Sequence, residues 1–338
     1  MFENRQLEEI TLHADRSDDY TAKSLYFIGR SFFLIDEDKK ALEFLNRSIN
    51  IDDQFPEAYF YRGIVKMYLE DSNGALNDVQ KALSKNPNSG LFLSGLGDIY
   101  SDRGETEMAK VAFLQSIQFE DVPDSSWMML GQIYVEEGNF EQAIALYNTA
   151  KNQIENTNTL LRLWFNVGLI ESLHGSNKNA IEAFEKVLEL NPSDHHAMSK
   201  LIQCFYKQKT FELAIPFREK LYADYKSNKL PDHMKDGFFF DQFEHGDYRV
   251  MAFERFQEGH SSSIYFKHIF YITDAEGDVV MTVQSEYSPI SKELGGTNFL
   301  ICFTKGNSRG NSGIGFNEMN DYNWFKDFAM NMVDKQLN

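Results

Sequence analysis

Cysteine is nearly missing from this chain: Cys204 and Cys302 are the only two in 338 residues, and they stand far apart. That excludes a disulfide framework and leaves two buried thiols in a reducing cytoplasm as the expectation. No stretch reaches the roughly twenty consecutive apolar residues of a spanning helix. The opening residues, "MFENRQLEEITLHADRSDDY", mix acids and bases and lack the apolar core of a signal peptide. Basic residues are outnumbered, 33 Lys and Arg against 51 Asp and Glu, for a formal charge of -18. The deficit is not a tail: residues 1–230 carry 24 basic against 35 acidic, and residues 231–338 carry 9 against 16. A surface acidic in both parts repels phosphate backbones and anionic lipid, which argues against nucleic acid and membrane and for a neutral or basic protein partner.

The recognisable chemistry of catalysis is also scarce. Gly306-Asn307-Ser308-Arg309-Gly310 is a literal G-x-S-x-G, but a nucleophile elbow needs a helix directly after its serine, and "NSGIGF" reads as a loop breaker. All eight histidines precede Ser308, against the order that accompanies that motif. The same stretch lacks the Gly-Lys-Ser/Thr ending of a phosphate loop. His195 and His196 are adjacent and would point about 100° apart on a helix without an i, i+4 partner, so exposure is expected of them rather than metal binding. His245, His260 and His268 are placed near strand ends without metal spacing. No catalytic, cofactor or metal residue is expected, and the chain is read as a non-enzyme.

What is present is a period. Gly29, Gly63, Gly97, Gly131 and Gly168, with Ile202 in sixth place, advance by 34, 34, 34, 37 and 34 residues, and Ala41, Ala75, Ala109, Ala143, Ala180 and Ala214 keep the same steps. Two series in phase over six copies mark a stacked repeat. Between each glycine and its alanine, helical apolar spacing is interrupted once, in three copies at Gly104, Gly138 and Gly175, where a left-handed residue would end a helix. Each copy is therefore expected to be an antiparallel helix pair with small residues at the crossing.

These residues resemble the tetratricopeptide repeat. Trp127, Leu130, Gly131 and Tyr134 reproduce W-x2-L-G-x2-Y, Ala143 and Tyr147 follow its A-x3-F limb, and Pro87 and Pro192 supply the closing proline. The resemblance implies an all-α superhelix of six repeats over 22–55, 56–89, 90–123, 124–160, 161–194 and 195–228, preceded by a cap helix and loop over 1–21. Lys66 and Glu171 depart from an aromatic position, and "NQIENTNTLL" holds three extra residues expected to lengthen one interhelical loop. Pro216 would kink the last helix or end it a turn early.

After a linker over 229–236 the period changes to two. "GFFFDQF", "DYRVMAFERF", "SIYFKHIFYIT", "DVVMTVQSEYS" and "NFLICFT" read as strands, with a tight hairpin at Asp274–Asp278. Residues 321–337 read as a helix capped by Asp321. Residues 237–338 are thus expected to form a small α+β domain: an antiparallel meander with a helix across one face.

Tetratricopeptide arrays hold peptide segments of other proteins against the first helix of each pair, so the resemblance implies a groove lined by neighbours of the signature residues. In this chain these are Lys23, Tyr26, Phe27, Arg30, Phe60, Tyr61, Ile64 and Tyr68, then Ser94 and Asp98, then Met128, Met129 and Gln132. Arg162, Phe165, Asn166, Leu169, Ser199, Lys200 and Gln203 follow in the last two copies. The first half is aromatic and aliphatic and suits apolar anchors; the second could hold a carboxylate or carbonyls. The chaperone-tail clamp known in part of the family is not matched, because its positions hold Tyr26, Arg30, Tyr61, Leu91 and Gly95. The implied function is a cytoplasmic scaffold that takes an extended or helical peptide segment of a partner. The alternatives are a ligand sensor or enzyme in the carboxyl-terminal domain, and self-association.

Overall fold

The protein, as a computed structural model, is described at residues 20–208, 210–231, 234, 238–257, 265–287, 299–316 and 322–337. The cap helix expected over 1–21 lies outside these except for Tyr20 and Thr21, as do His260, Asp321 and half of the 229–236 linker. The chain forms two compact units, one ending at Thr159 and the other beginning at Leu160.

Twelve helices pair antiparallel over the repeats: α1 (Ala22–Leu34) with α2 (Asp38–Ile51), α3 (Pro56–Tyr68) with α4 (Ser72–Lys85), α5 (Gly90–Asp102) with α6 (Thr106–Ser116), α7 (Asp124–Glu136) with α8 (Phe140–Ala150), α9 (Thr157–His174) with α10 (Asn177–Leu190), and α11 (His195–Gln208) with α12 (Phe211–Lys226). All six periodic alanines are fully buried. A Cβ on Gly131 would stand 2.3 Å from the Tyr147 ring, so the close crossing of α7 and α8 depends on its absence.

The turns inside the first four pairs share one device. Asp36, Glu70, Gly104 and Gly138 occupy left-handed backbone with φ of 60°, 63°, 72° and 74°. Gly175 does not join them. It instead leaves room for Glu171, whose Oε2 would lie 2.2 Å from a Cβ there and accepts from the Ser176 amide at 2.8 Å. The two departures from the aromatic position are accounted for in the same way. Glu171 Oε1 accepts from Asn179 Nδ2 at 3.0 Å, while Lys66 and Arg62 both hold the buried Asp78 of α4, each at 2.7 Å. Ionic and hydrogen-bonded links replace ring packing across these two pairs.

Two expectations are corrected here. The three extra residues do not simply lengthen a loop: α9 runs for 18 residues where the first helices of the preceding pairs have 13, so helix takes up much of the insertion. Pro216 does not end α12 early, since the helix continues through it to Lys226 and only the bond to the Glu212 carbonyl is forgone.

In the second unit, β1 (Phe238–His245), β2 (Tyr248–Gln257), β3 (Tyr265–Thr273), β4 (Val279–Tyr287), β5 (Phe299–Lys305) and β6 (Ser308–Phe316) form an antiparallel meander in sequence order, followed by α13 (Tyr322–Leu337). Direct pairing of Val250 with Ile272, Ala252 with Phe270, and Phe270 with Val283 sets one apolar face, on which Phe325 of α13 packs with ring centroids 4.8 Å from Phe270. The sixth strand corrects the loop expected at "NSGIGF". Its glycines hide the period-two pattern, and Phe303, paired with Gly310, fills the missing side chain: a Cβ on Gly310 would lie 2.6 Å from the Phe303 ring. With a strand after Ser308 and only Gly306-Asn307 as the turn, no nucleophile elbow forms.

The core of this unit is continuous from the fifth and sixth pairs into the sheet, joining Phe184, Leu201, Leu221, Val250, Phe270 and Phe325. Within it lies an ionic pair. Arg218 Nε donates to Glu254 Oε1 at 2.8 Å, both side chains are fully buried, and Tyr206 donates to Glu254 Oε2 at 3.4 Å. Burial pushes the Glu254 carboxyl above its usual range, against the pull of Arg218. His268, expected near a strand end, sits within β3, fully buried, its Nδ1 3.8 Å from Glu254 Oε2.

Candidate peptide-binding face

In the first unit the aromatic residues of α1 and α3 gather. The Tyr26 ring meets Phe27 at 4.9 Å, Phe55 at 5.2 Å and Tyr61 at 5.5 Å; Phe60 meets Tyr61 at 5.2 Å and stacks on Phe92 at 4.8 Å. Phe33 meets Tyr68 edge-on at 5.3 Å. Arg30 places its guanidinium 5.3 Å from the centre of the Tyr61 ring. Burial, with Tyr61 adding to it and Arg30 opposing, lifts the Tyr26 hydroxyl to about 12, so it remains a neutral donor across the physiological range.

These neighbours divide by exposure. Tyr26, Phe60 and Met128 are buried, which makes them chiefly packing residues. Tyr68 is 66% exposed and Phe27 44%, while Arg30, Tyr61, Ile64 and Met129 are partly exposed. Gln132 is exposed and donates to Glu136 at 2.8 Å. Phe33, Phe55 and Glu57 complete the cluster and were missed by sequence reasoning; the 35-residue offset of Phe33 from Tyr68 is the signal that could have found that pair. Among the described residues, Arg30 Nε and Glu57 Oε2 are buried without a hydrogen-bond partner. Asp98, on α5, is partly buried, and desolvation alone raises its carboxyl to about 6.

In the second unit, Arg162 is exposed on α9 and Asn166 is partly exposed. Lys200 and Gln203 lie on α11, 3.5 Å apart; burial lowers the Lys200 ammonium and raises the Cys204 thiol one turn on to about 11. His195 is not simply exposed as expected: its Nε2 lies 3.0 Å from Asp224 Oδ2. A separate cavity of about 620 Å³ lies between β1 and α13, bordered by Phe243, Glu244, His245, Lys326, Met330 and Asp334. In its wall His245 Nε2 is 2.7 Å from Asp334 Oδ1, and Lys326 Nζ sits 3.4 Å from the centre of the Phe243 ring. Among the described residues no group of His, Cys, Asp and Glu is placed to hold a metal, and no helix is long and apolar enough to cross a membrane.

Comparison with known proteins agrees with this architecture. Profiles of the tetratricopeptide repeat match residues 124–156 and 174–228. A TPR repeat-containing protein of Methanocaldococcus jannaschii is 27% identical over 207 residues, which cover 59% of this chain and 36% of that protein. The anaphase-promoting complex subunit 3 of Schizosaccharomyces pombe is 23% identical over 198 residues, covering 58% of this chain and 29% of that protein. The matched stretch therefore spans about a third of the length of each of these two relatives. The solved structure of Pseudomonas aeruginosa pilF superposes with a TM-score of 0.50 at 12% identity, covering 61% of this chain and 92% of that one, a likeness of fold. With the period, the helix pairs and these matches in agreement, the twelve paired helices form a tetratricopeptide-repeat solenoid.

Proposed function

We propose that the chain is a non-enzymatic, cytoplasmic interaction scaffold that holds a peptide segment of a partner protein against the first helices of its repeats. On this reading residues 22–228 are the binding module and 237–338 its terminal companion. One observation carries it: aromatic side chains are gathered on α1 and α3, and Tyr68 and Phe27 keep much of their surface in water. Exposed, mutually braced rings are the usual anchors of an interface, each worth about 2 kcal/mol, or roughly 30-fold, on truncation. Capture from lysate by the wild type and by a Tyr61→Ala/Tyr68→Ala variant that retains its helical circular dichroism is the test. Loss of captured proteins supports the reading, and an unchanged set sinks it.

The cavity between β1 and α13 favours a second reading, in which the sheet takes a small polar ligand and the repeats serve as its scaffold. The test uses the full chain, because the sheet shares its core with α11 and α12. A small molecule that raises the melting temperature of the wild type, but not of an Asp334→Ala variant, would favour this reading.

A further inference from the structure

The residue after each repeat glycine occupies the same place on successive first helices. In the first unit that row is Arg30, Ile64, Asp98 and Gln132. It is not uniform in charge: a cation, an aliphatic side chain, an anion and an amide follow one another across four helices. At the first step Arg30 keeps part of its surface in water and sets its guanidinium over the Tyr61 ring. At the second, Ile64 stands between Tyr61 and Tyr68 on α3, and Gly95 of α5 lies close enough that a Cβ there would meet Ile64 Cδ1 at 3.2 Å. At the third, Asp98 is a partly buried carboxylate for which no hydrogen bond or ion pair is found among the described residues, unlike Asp78, Asp121 and Asp224, which hydrogen-bonding partners hold below the usual range against burial. A desolvated anion left without a protein cation is costly, and it is relieved by a cation from outside.

Building on the groove reading above, we infer that the partner is an extended basic segment. It places an apolar side chain on Ile64 and Tyr61 and a Lys or Arg on Asp98. Neighbouring helices lie about 10 Å apart, and an extended chain advances about 3.3 Å per residue, so the apolar and basic residues of the segment are separated by about three positions. The formal charge of -18 attracts such a segment over longer range.

The test is selection of a random twelve-residue display library on the full chain, on an Asp98→Lys variant and on the Tyr61→Ala/Tyr68→Ala variant. The expected result is a Lys or Arg about three residues from an apolar residue in the wild-type pool, replaced by an acidic residue in the Asp98→Lys pool. A wild-type peptide should also bind Asp98→Asn about 30-fold more weakly by calorimetry. The milder variant keeps the test decisive should Asp98→Lys fail to fold. Peptides that depend on Tyr61 and Tyr68 but lack the basic residue, or that ignore both Asp98 changes, would overturn this inference and leave the groove reading standing. Peptides that bind the double-alanine variant unchanged, or a library that yields no binder, would overturn both.

Discussion

Lys66 Nζ lies 2.7 Å from Asp78 Oδ2, on a carboxylate that has no exposed surface and that Arg62 grips at the same time. A lysine where the repeat wants an aromatic is therefore the partner of a buried acid on the facing helix. Burial alone would raise the Asp78 carboxyl, but the hydrogen bonds from Arg62 and Lys66 outweigh it and hold it below the usual range. Because its folded value is depressed, its stabilisation is present above about pH 4 and is lost as pH falls through that folded value. Asp78→Asn is expected to cost about 3 kcal/mol at pH 7, and the gap from wild type should narrow in acid; urea denaturation at several pH values measures it.

Glu70 holds a left-handed conformation that Gly104 and Gly138 adopt without a Cβ penalty. Relief of the strain outweighs the added freedom of the unfolded chain, so Glu70→Gly should stabilise the first unit by about 0.5–1 kcal/mol. A lower melting temperature for the variant would contradict this.

Asp98 works in the opposite direction from Asp78. Its carboxyl is raised to about 6 by burial, so the folded state is penalised once the group ionises, and the penalty is complete above about pH 6. Asp98→Asn should therefore be more stable than wild type by about 2 kcal/mol at pH 8 and indistinguishable from it below about pH 4, as melting curves across that range would show.

Gly131→Ala places a methyl group within 2.3 Å of the Tyr147 ring. The helices must part or the ring must leave its rotamer, at a cost of about 2–3 kcal/mol. Adding Tyr147→Leu should recover part of that loss, which a double-mutant cycle by chemical denaturation detects.

Arg218→Met leaves Glu254 buried without its cation, at an expected cost of about 3–5 kcal/mol, whereas Arg218→Met with Glu254→Met should come close to wild type. Hydrogen exchange should place the loss in α11, α12 and the sheet and leave α1 to α6 protected as before.

The repeats were legible because their signal is redundant: glycine, alanine and helical spacing each report the same helix pair. The left-handed turns were half legible, since Gly104 and Gly138 announce them but Asp36 and Glu70 fill the same place with residues that carry no such mark. Strand β6 was not legible because glycine contributes no side chain to a period of two, and its stabilisation comes from Phe303 on the neighbouring strand. The Arg218–Glu254 pair was invisible, since no local pattern links two residues 36 apart that meet only after the sheet has folded. At the candidate face, spacing could nominate Tyr26, Phe60 and Tyr68 alike; packing decides that the first two are buried and the third is not.

That same 36-residue separation has a temporal consequence. A ribosome adding about 5–20 residues per second needs roughly two to seven seconds to travel from Arg218 to Glu254, and longer still to supply α13. During that interval the sixth helix pair exists as a nascent element with a guanidinium facing no carboxylate and an apolar flank facing no sheet. The first unit can fold as it emerges, whereas the second is complete only when its last helix has been made.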